Sequence, residues 1–148
     1  GMKVLAYDPY VSSVPEGVVL CADKEDVVRQ ADVLTLHPVL NEETRNIIGP
    51  KELAMMKPTA YFINCGRGPL VDEPALIEAL EKHQIAGAGL DVQETEPPKA
   101  DNPLYTLDNV ILTPHMGWKG LETRQRLVSI LAGNVKGFLE GTPVNVVS

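Results

Sequence analysis

Short apolar runs recur along the chain, separated by stretches with helical spacing. The runs at 3–7, 18–21, 33–37, 60–64, 86–91 and 109–113 are apolar almost throughout instead of alternating. That is the pattern of parallel strands covered on both faces. Four helices are predicted between and after them. Asp23, followed by Asp26, opens "DKEDVVRQA". Pro50 precedes a shorter helix, "KELAMMK", which Pro58 ends. Asp72 opens "DEPALIEALEKH", with Pro74 near the first turn and Lys82 and His83 at the far end. Asp72 can accept from free N–H groups, and terminal basic residues suit the helix dipole. The last helix spans about 119–139, with Leu121, Leu127, Ile130, Leu131, Val135 and Phe138 as its apolar stripe. Strand and helix in alternation predict an open, doubly wound α/β sheet. One connection, "VQETEPPKADNPLYTLD" at 92–108, is long, polar and proline-rich. Connections of that length are usually functional or disordered.

Composition narrows the picture. With 148 residues, 44% hydrophobic and 22% charged, the chain fits one soluble globular domain with a real core. A net charge of -7 argues against nucleic-acid or anionic-membrane partners. It does not argue against a nucleotide, whose phosphates are neutralised locally by backbone N–H groups. No apolar run approaches the roughly 20 residues of a membrane span. The N-terminus lacks the order of a signal peptide. Cys21 and Cys65 form no CxxC, and His37, His83 and His115 are far apart. No metal site is expected, and a reduced, cytoplasmic protein is.

In doubly wound sheets, ligands bind at the carboxyl ends of the strands. Those ends carry Asp8, His37, "NCGRG" at 64–68, Asp91 and "TPHMGW" at 113–118. Arg67 lies between Gly66 and Gly68, which permit a tight backbone and close ligand approach. Its guanidinium can grip a carboxylate through two parallel hydrogen bonds, or pin the loop by bonding carbonyls. His115 follows Pro114 at a strand end and can pass a proton to a carbonyl oxygen, or serve as a surface residue. Glu94 and Glu96 precede it by about one strand. Either can pair with the imidazole, fix its tautomer and favour its proton-donating form, or remain a solvated loop charge. Asp91 is a strand-end acceptor for an amide ligand or for the next loop. Asp8 holds a ribose or caps a turn with Pro9. Cys65 reads as a small buried hydrophobe, the common fate of a free cysteine.

Five segments in order resemble the D-isomer-specific 2-hydroxyacid dehydrogenases. They are "AYDP" (6–9), "DVLTLHPVLNEETRNIIG" (32–49), "MKPTAYFINCGRGPLVDEPALIEAL" (56–80), "AGAGLDVQETEP" (86–97) and "DNVILTPHMGW" (108–118). The resemblance runs from Lys3 to about Val146, and "HMGW" with "ETRQRL" is similar to the branch that reduces hydroxypyruvate or glyoxylate. It implies an NAD-dependent enzyme acting on a small 2-keto or 2-hydroxy acid. Arg67 would clamp the substrate carboxylate, and His115 would protonate the carbonyl oxygen with Glu96 as its partner. Asp8, with Pro9, would hold the adenosine ribose, favouring NAD over NADP. His37, Pro38 and Thr44 would line the cofactor cleft. Cys65, Gly66 and Asp91 would lie toward the nicotinamide, with Asp91 taking its carboxamide, Gly117 nearby and Trp118 bordering the substrate. Formate dehydrogenases share the fold but carry Gln where this chain has Glu96. Related co-repressor proteins keep the fold without the reaction, so a non-catalytic NAD-sensing or interaction module is the alternative.

The resemblance also implies missing parts. The family places a strand, a GxGxxG turn and a helix before Lys3, and builds most of its substrate domain from residues before that turn. The expectation is therefore an incomplete Rossmann-type doubly wound parallel sheet lacking its first strand and glycine-rich loop. Residues 1–148 would form a partial dinucleotide-binding domain, with about 119–148 as a closing helix and tail against the absent substrate domain. In the order 3-2-1-4-5-6 the absent strand is central, and its loss leaves two apolar edges. Either the strand at 3–7 moves beside that at 33–37, or a second copy pairs across the opening, giving a homo-oligomer. Alone, the chain is expected to bind NAD weakly or not at all and to show no turnover.

Overall fold

The computed structural model describes residues 1–147. Its elements run β1 (Val4–Ala6), β2 (Val18–Leu20), α1 (Lys24–Gln30), β3 (Val33–Leu36), α2 (Pro50–Met55), β4 (Tyr61–Asn64), α3 (Glu73–Glu81), β5 (Gly87–Leu90), β6 (Val110–Leu112) and α4 (Leu121–Leu139). All six expected strands form, each a residue or two shorter than its apolar run. Asp23 caps α1 by accepting from the Asp26 N–H at 2.8 Å, and Asp72 caps α3 from the Ala75 N–H at 3.0 Å. Pro50 is the first residue of α2 and does not merely precede it. A proline loses nothing there, because the first helical N–H has no partner in any case. α2 stops at Met55, three residues before Pro58.

Two compact units divide the chain, Gly1–Pro114 and the residues from His115 onward. The first holds every strand. All pairings are parallel, but they fall into two sheets, β1-β2 and β3-β4-β5-β6. The strand at 3–7 therefore does not move beside β3. It pairs Val4, Leu5 and Ala6 with Val18, Val19 and Leu20. Lys24, just after β2, is tethered to Glu52 at 2.8 Å and to the Ile47 carbonyl at 2.9 Å. These bonds fix the exit of the β1–β2 ribbon, while the outer edge of β3 has no strand partner among the described residues.

The core sits on one face of the larger sheet. Leu34 and Leu36 of β3, Phe62 and Asn64 of β4, and Ala88 and Leu90 of β5 point into it. Val28 of α1, Leu53 of α2 and Leu76 and Leu80 of α3 close it from above. The opposite face is not covered to the same degree. Val33, Tyr61 and Ile111 there are 56%, 52% and 74% exposed, against the expectation of burial on both faces. In the second unit, the stripe on α4 forms as a helix face but is exposed along its length.

Candidate active site

The carboxyl end of β4 turns sharply because Asn64 organises it. This side chain is fully buried and has both ends satisfied. Its Oδ1 accepts from the Gly66 N–H at 3.0 Å, and its Nδ2 donates to the Arg67 carbonyl at 2.9 Å. The loop 65–67 is thereby locked, and Arg67 is held outward at the strand end. One guanidinium nitrogen donates to the Gly66 carbonyl at 2.8 Å. Arg67 thus steadies its own loop while its side chain remains exposed. Cys65 is exposed, so it is not a buried hydrophobe.

Gly68 explains why the turn and the long loop lie together. A Cβ at this position would sit 1.9 Å from the Gln93 carbonyl oxygen and 2.1 Å from its carbon. Only glycine lets the backbone after β5 approach this closely. The loop itself is ordered. Glu73, at the first turn of α3, accepts from the Glu94 N–H at 2.7 Å and from Asn102 Nδ2 at 2.9 Å. Asn102 Nδ2 also reaches Gln93 Oε1 at 3.1 Å, and its Oδ1 accepts from the Leu104 N–H at 3.0 Å. Leu104 is buried as an apolar anchor. Glu96 is exposed, and its Oε1 accepts from the Gln93 N–H at 3.3 Å.

The next strand ends supply Asp91 and Thr113. Backbone bonds from Asp91 to the Asn64 carbonyl and from Thr113 to the Leu90 carbonyl, both 3.0 Å, extend the ladders past β5 and β6. The Thr113 hydroxyl donates to Asp91 Oδ1 at 2.5 Å, and Asp91 is only 8% exposed. After β3, His37 Nε2 lies 3.1 Å from the Thr35 hydroxyl and is exposed. Thr44 braces its loop: its hydroxyl donates to the Val39 carbonyl at 2.6 Å and accepts from the Asn41 N–H at 2.8 Å. Pro38 lies half-buried at the start of that loop.

Asp8 and Pro9 stand apart, on the β1–β2 ribbon. Asp8 is exposed, and its Oδ1 accepts from the Tyr10 N–H at 2.9 Å. It caps the Pro9 turn, and that bond orients the carboxylate. In the second unit, His115 is half-buried with φ at 47°. A non-glycine residue in the left-handed region costs about 1–2 kcal/mol, and such residues concentrate at functional sites. Gly117 and Trp118 follow it, both exposed, and the Arg124 guanidinium lies 5.3 Å from the Trp118 ring centroid.

The structure therefore brings "NCGRG" against the loop bearing Glu96, and Asp91 against Thr113. Sequence reasoning missed Asn64, Glu73, Asn102 and Thr113 as organisers. For Asn64 and Asn102 the signal was present, since each precedes a turn in which Asn commonly accepts from the backbone two residues on. Among the described residues no cluster of His, Cys, Asp or Glu could hold a metal ion.

Comparisons with known proteins give the chain its relatives. The family model for the D-isomer specific 2-hydroxyacid dehydrogenase NAD binding domain matches residues 1–117. A hydroxypyruvate reductase of Blautia hydrogenotrophica is 44% identical over 149 residues, covering 100% of this chain and 46% of that protein. A glycerate dehydrogenase of Methylorubrum extorquens is 46% identical, covering 99% of this chain and 46% of that protein. The NAD-complexed crystal structure of a D-isomer specific 2-hydroxyacid dehydrogenase from Lactobacillus delbrueckii ssp. bulgaricus superposes with a TM-score of 0.87 at 36% identity. That match covers 99% of this chain and 48% of the other. The chain thus spans just under half the length of these relatives.

Proposed function

The chain belongs to the D-isomer specific 2-hydroxyacid dehydrogenase family, within its NAD-binding domain, and from that premise we propose that the protein carrying it interconverts a small 2-keto acid and its 2-hydroxy acid, of the hydroxypyruvate or glyoxylate type. The observation that carries the proposal is the Asn64-braced turn, which presents an exposed Arg67 at the end of β4 beside the loop bearing Glu96.

The donor set suits a dinucleotide at both ends. Asp8, oriented by the Tyr10 N–H, offers a carboxylate to ribose hydroxyls and would repel a 2'-phosphate. Asp91, oriented by Thr113, offers an acceptor for a carboxamide. When bound, the nicotinamide supplies the hydride. Every other task falls to the protein. Arg67 receives the substrate carboxylate on its unused N–H groups and orients the keto carbon. His115 gives a proton to the carbonyl oxygen in reduction and takes it back in oxidation. Glu96 holds the imidazole in the tautomer that can do so. In this proposal Arg67 would also stabilise the negative charge that develops on the carbonyl oxygen, and stabilising such charge is usually the main source of rate enhancement.

These 148 residues contain no G-x-G-x-x-G turn, the element on which dinucleotide-binding folds commonly seat a pyrophosphate. Two free cysteines, one of them exposed, suit a reducing compartment such as the cytoplasm. A second copy or another strand laid along the free edges of β1 and β3 would cover Val4 and Val33. The test of the site is Arg67→Lys in the complete polypeptide. Lysine keeps the charge but lacks the fork. We expect the KM for the keto acid to rise by roughly tenfold or more, with the NADH KM unchanged, in keeping with loss of a charged hydrogen bond. An unchanged keto-acid KM would refute the carboxylate clamp.

A further inference from the structure

We infer that Glu73 is a positioning residue that governs the proton chemistry by holding the loop that carries Glu96. The inference rests on the role proposed above for Glu96. Glu73 is 9% exposed, an unusual place for a carboxylate that no reaction step uses. Burying a charge is costly unless it is well bonded. Both of its oxygens are bonded, and both bonds go to the loop. Oε2 accepts from the Glu94 N–H, 21 residues on, and Oε1 from the Asn102 side chain, 29 residues on. Capping α3 does not require it, because Asp72 already accepts from the Ala75 N–H.

The connection to Glu96 can be followed bond by bond. Asn102 reaches from Glu73 to Gln93 Oε1, and the Gln93 N–H donates to Glu96 Oε1. The Gln93 carbonyl rests on Gly68, the residue after Arg67. Two contacts thus set where the loop lies against the Arg67 turn: the close approach at Gly68 and the clamp at Glu73. Gly68 limits how near the loop can come, and Glu73 stops it moving away. The Glu73 carboxylate suits this task because both of its loop partners are donors. Glutamine would offer one oxygen and turn an NH2 toward the other donor, so one bond is lost and two donors face each other.

The test is a double-mutant cycle in the complete polypeptide, assayed by NADH oxidation with glyoxylate. Glu73→Gln should lower kcat about tenfold and leave the NADH KM within about twofold. In a Glu96→Gln background the same substitution should cause no further loss, since the group it positions is already gone. Asn102→Ala, run through the same cycle, gives a second reading should Glu73→Gln fold poorly, and should behave alike. An equal fractional loss in both backgrounds, or full kcat in Glu73→Gln and Asn102→Ala, would overturn the inference. Full kcat in Glu96→Gln alone would instead overturn the role of Glu96, and the positioning role would fall with it.

Discussion

The four-stranded sheet and the β1–β2 ribbon are built from the same kind of sequence and end in opposite conditions. "VLTL" and "YFIN" bury every second side chain, and the largest fully buried side chains among the described residues run from Val28 to Leu104. "VLA" and "VVL" bury none; Val4 and Val19 are 46% and 47% exposed. The difference is not propensity. α1, α2 and α3 pack on one face of the larger sheet, while the ribbon has β2 against β1 and little above either. An apolar run records that a strand is suited to burial; the burial itself comes from what packs on it. The proposed site divides in the same way. Arg67, Asp91 and the loop around Glu96 rest on the packed sheet, and Asp8 rests on the ribbon.

Substitutions in the two regions test this contrast. The largest effect is expected from Phe62→Ala, which empties a fully buried position and should cost about 3–5 kcal/mol in urea unfolding. Val19→Ala on the ribbon should stay within about 0.5 kcal/mol. Similar losses at the two would mean that the ribbon shares the core. Next comes Gly68→Ala. Its Cβ would strike the backbone of Gln93, so the loop or the turn must shift, at about 1–3 kcal/mol, and kcat should fall with it. A variant of unchanged stability and kcat would refute the close contact between turn and loop.

A smaller effect is expected from acid. Burial raises the pKa of Glu52, but bonds from Lys24, from the Gly49 N–H and from its own backbone outweigh that and hold it below the ordinary value. A group depressed in the folded state contributes stability above its unfolded value, about 4.3, and loses it as pH falls through the lower folded value. The urea midpoint should therefore drop below about pH 4, and Glu52→Gln should flatten that drop. An identical acid limb in the variant would show that Glu52 does not contribute to it. The smallest effect on folding is expected from Asp8→Ala: less than about 0.5 kcal/mol of stability, yet a weaker preference for NADH over NADPH. Unchanged cofactor preference would detach the ribbon from nucleotide recognition.

The sequence was legible where physics is local. The caps at Asp23 and Asp72, the proline at the start of α2 and the six apolar runs each act within a few residues. The rule that parallel strands present ligands at their carboxyl ends then located Asp8, His37, Arg67 and Asp91. What escaped was set by distant partners. No local pattern says that β1 stays with β2 and away from β3, because edge pairing depends on what the rest of the fold brings alongside. Cys65 is compatible in sequence with a buried hydrophobe, but the Asn64 brace turns it outward. Glu73 looks in sequence like an ordinary first-turn acid of a helix, since its partners lie 21 and 29 residues away.

In the proposed reaction the protein carrying these residues reduces a small 2-keto acid with NADH, with His115 as the proton donor. The most direct measurement compares NADH oxidation by the complete wild-type polypeptide and its His115→Ala variant, with hydroxypyruvate and glyoxylate. A measurable wild-type rate that falls about 10²–10⁴-fold in the variant, with NADH binding retained, is the predicted result. A variant that oxidises NADH as fast as the wild type, or a wild type inert toward both acids, would contradict it.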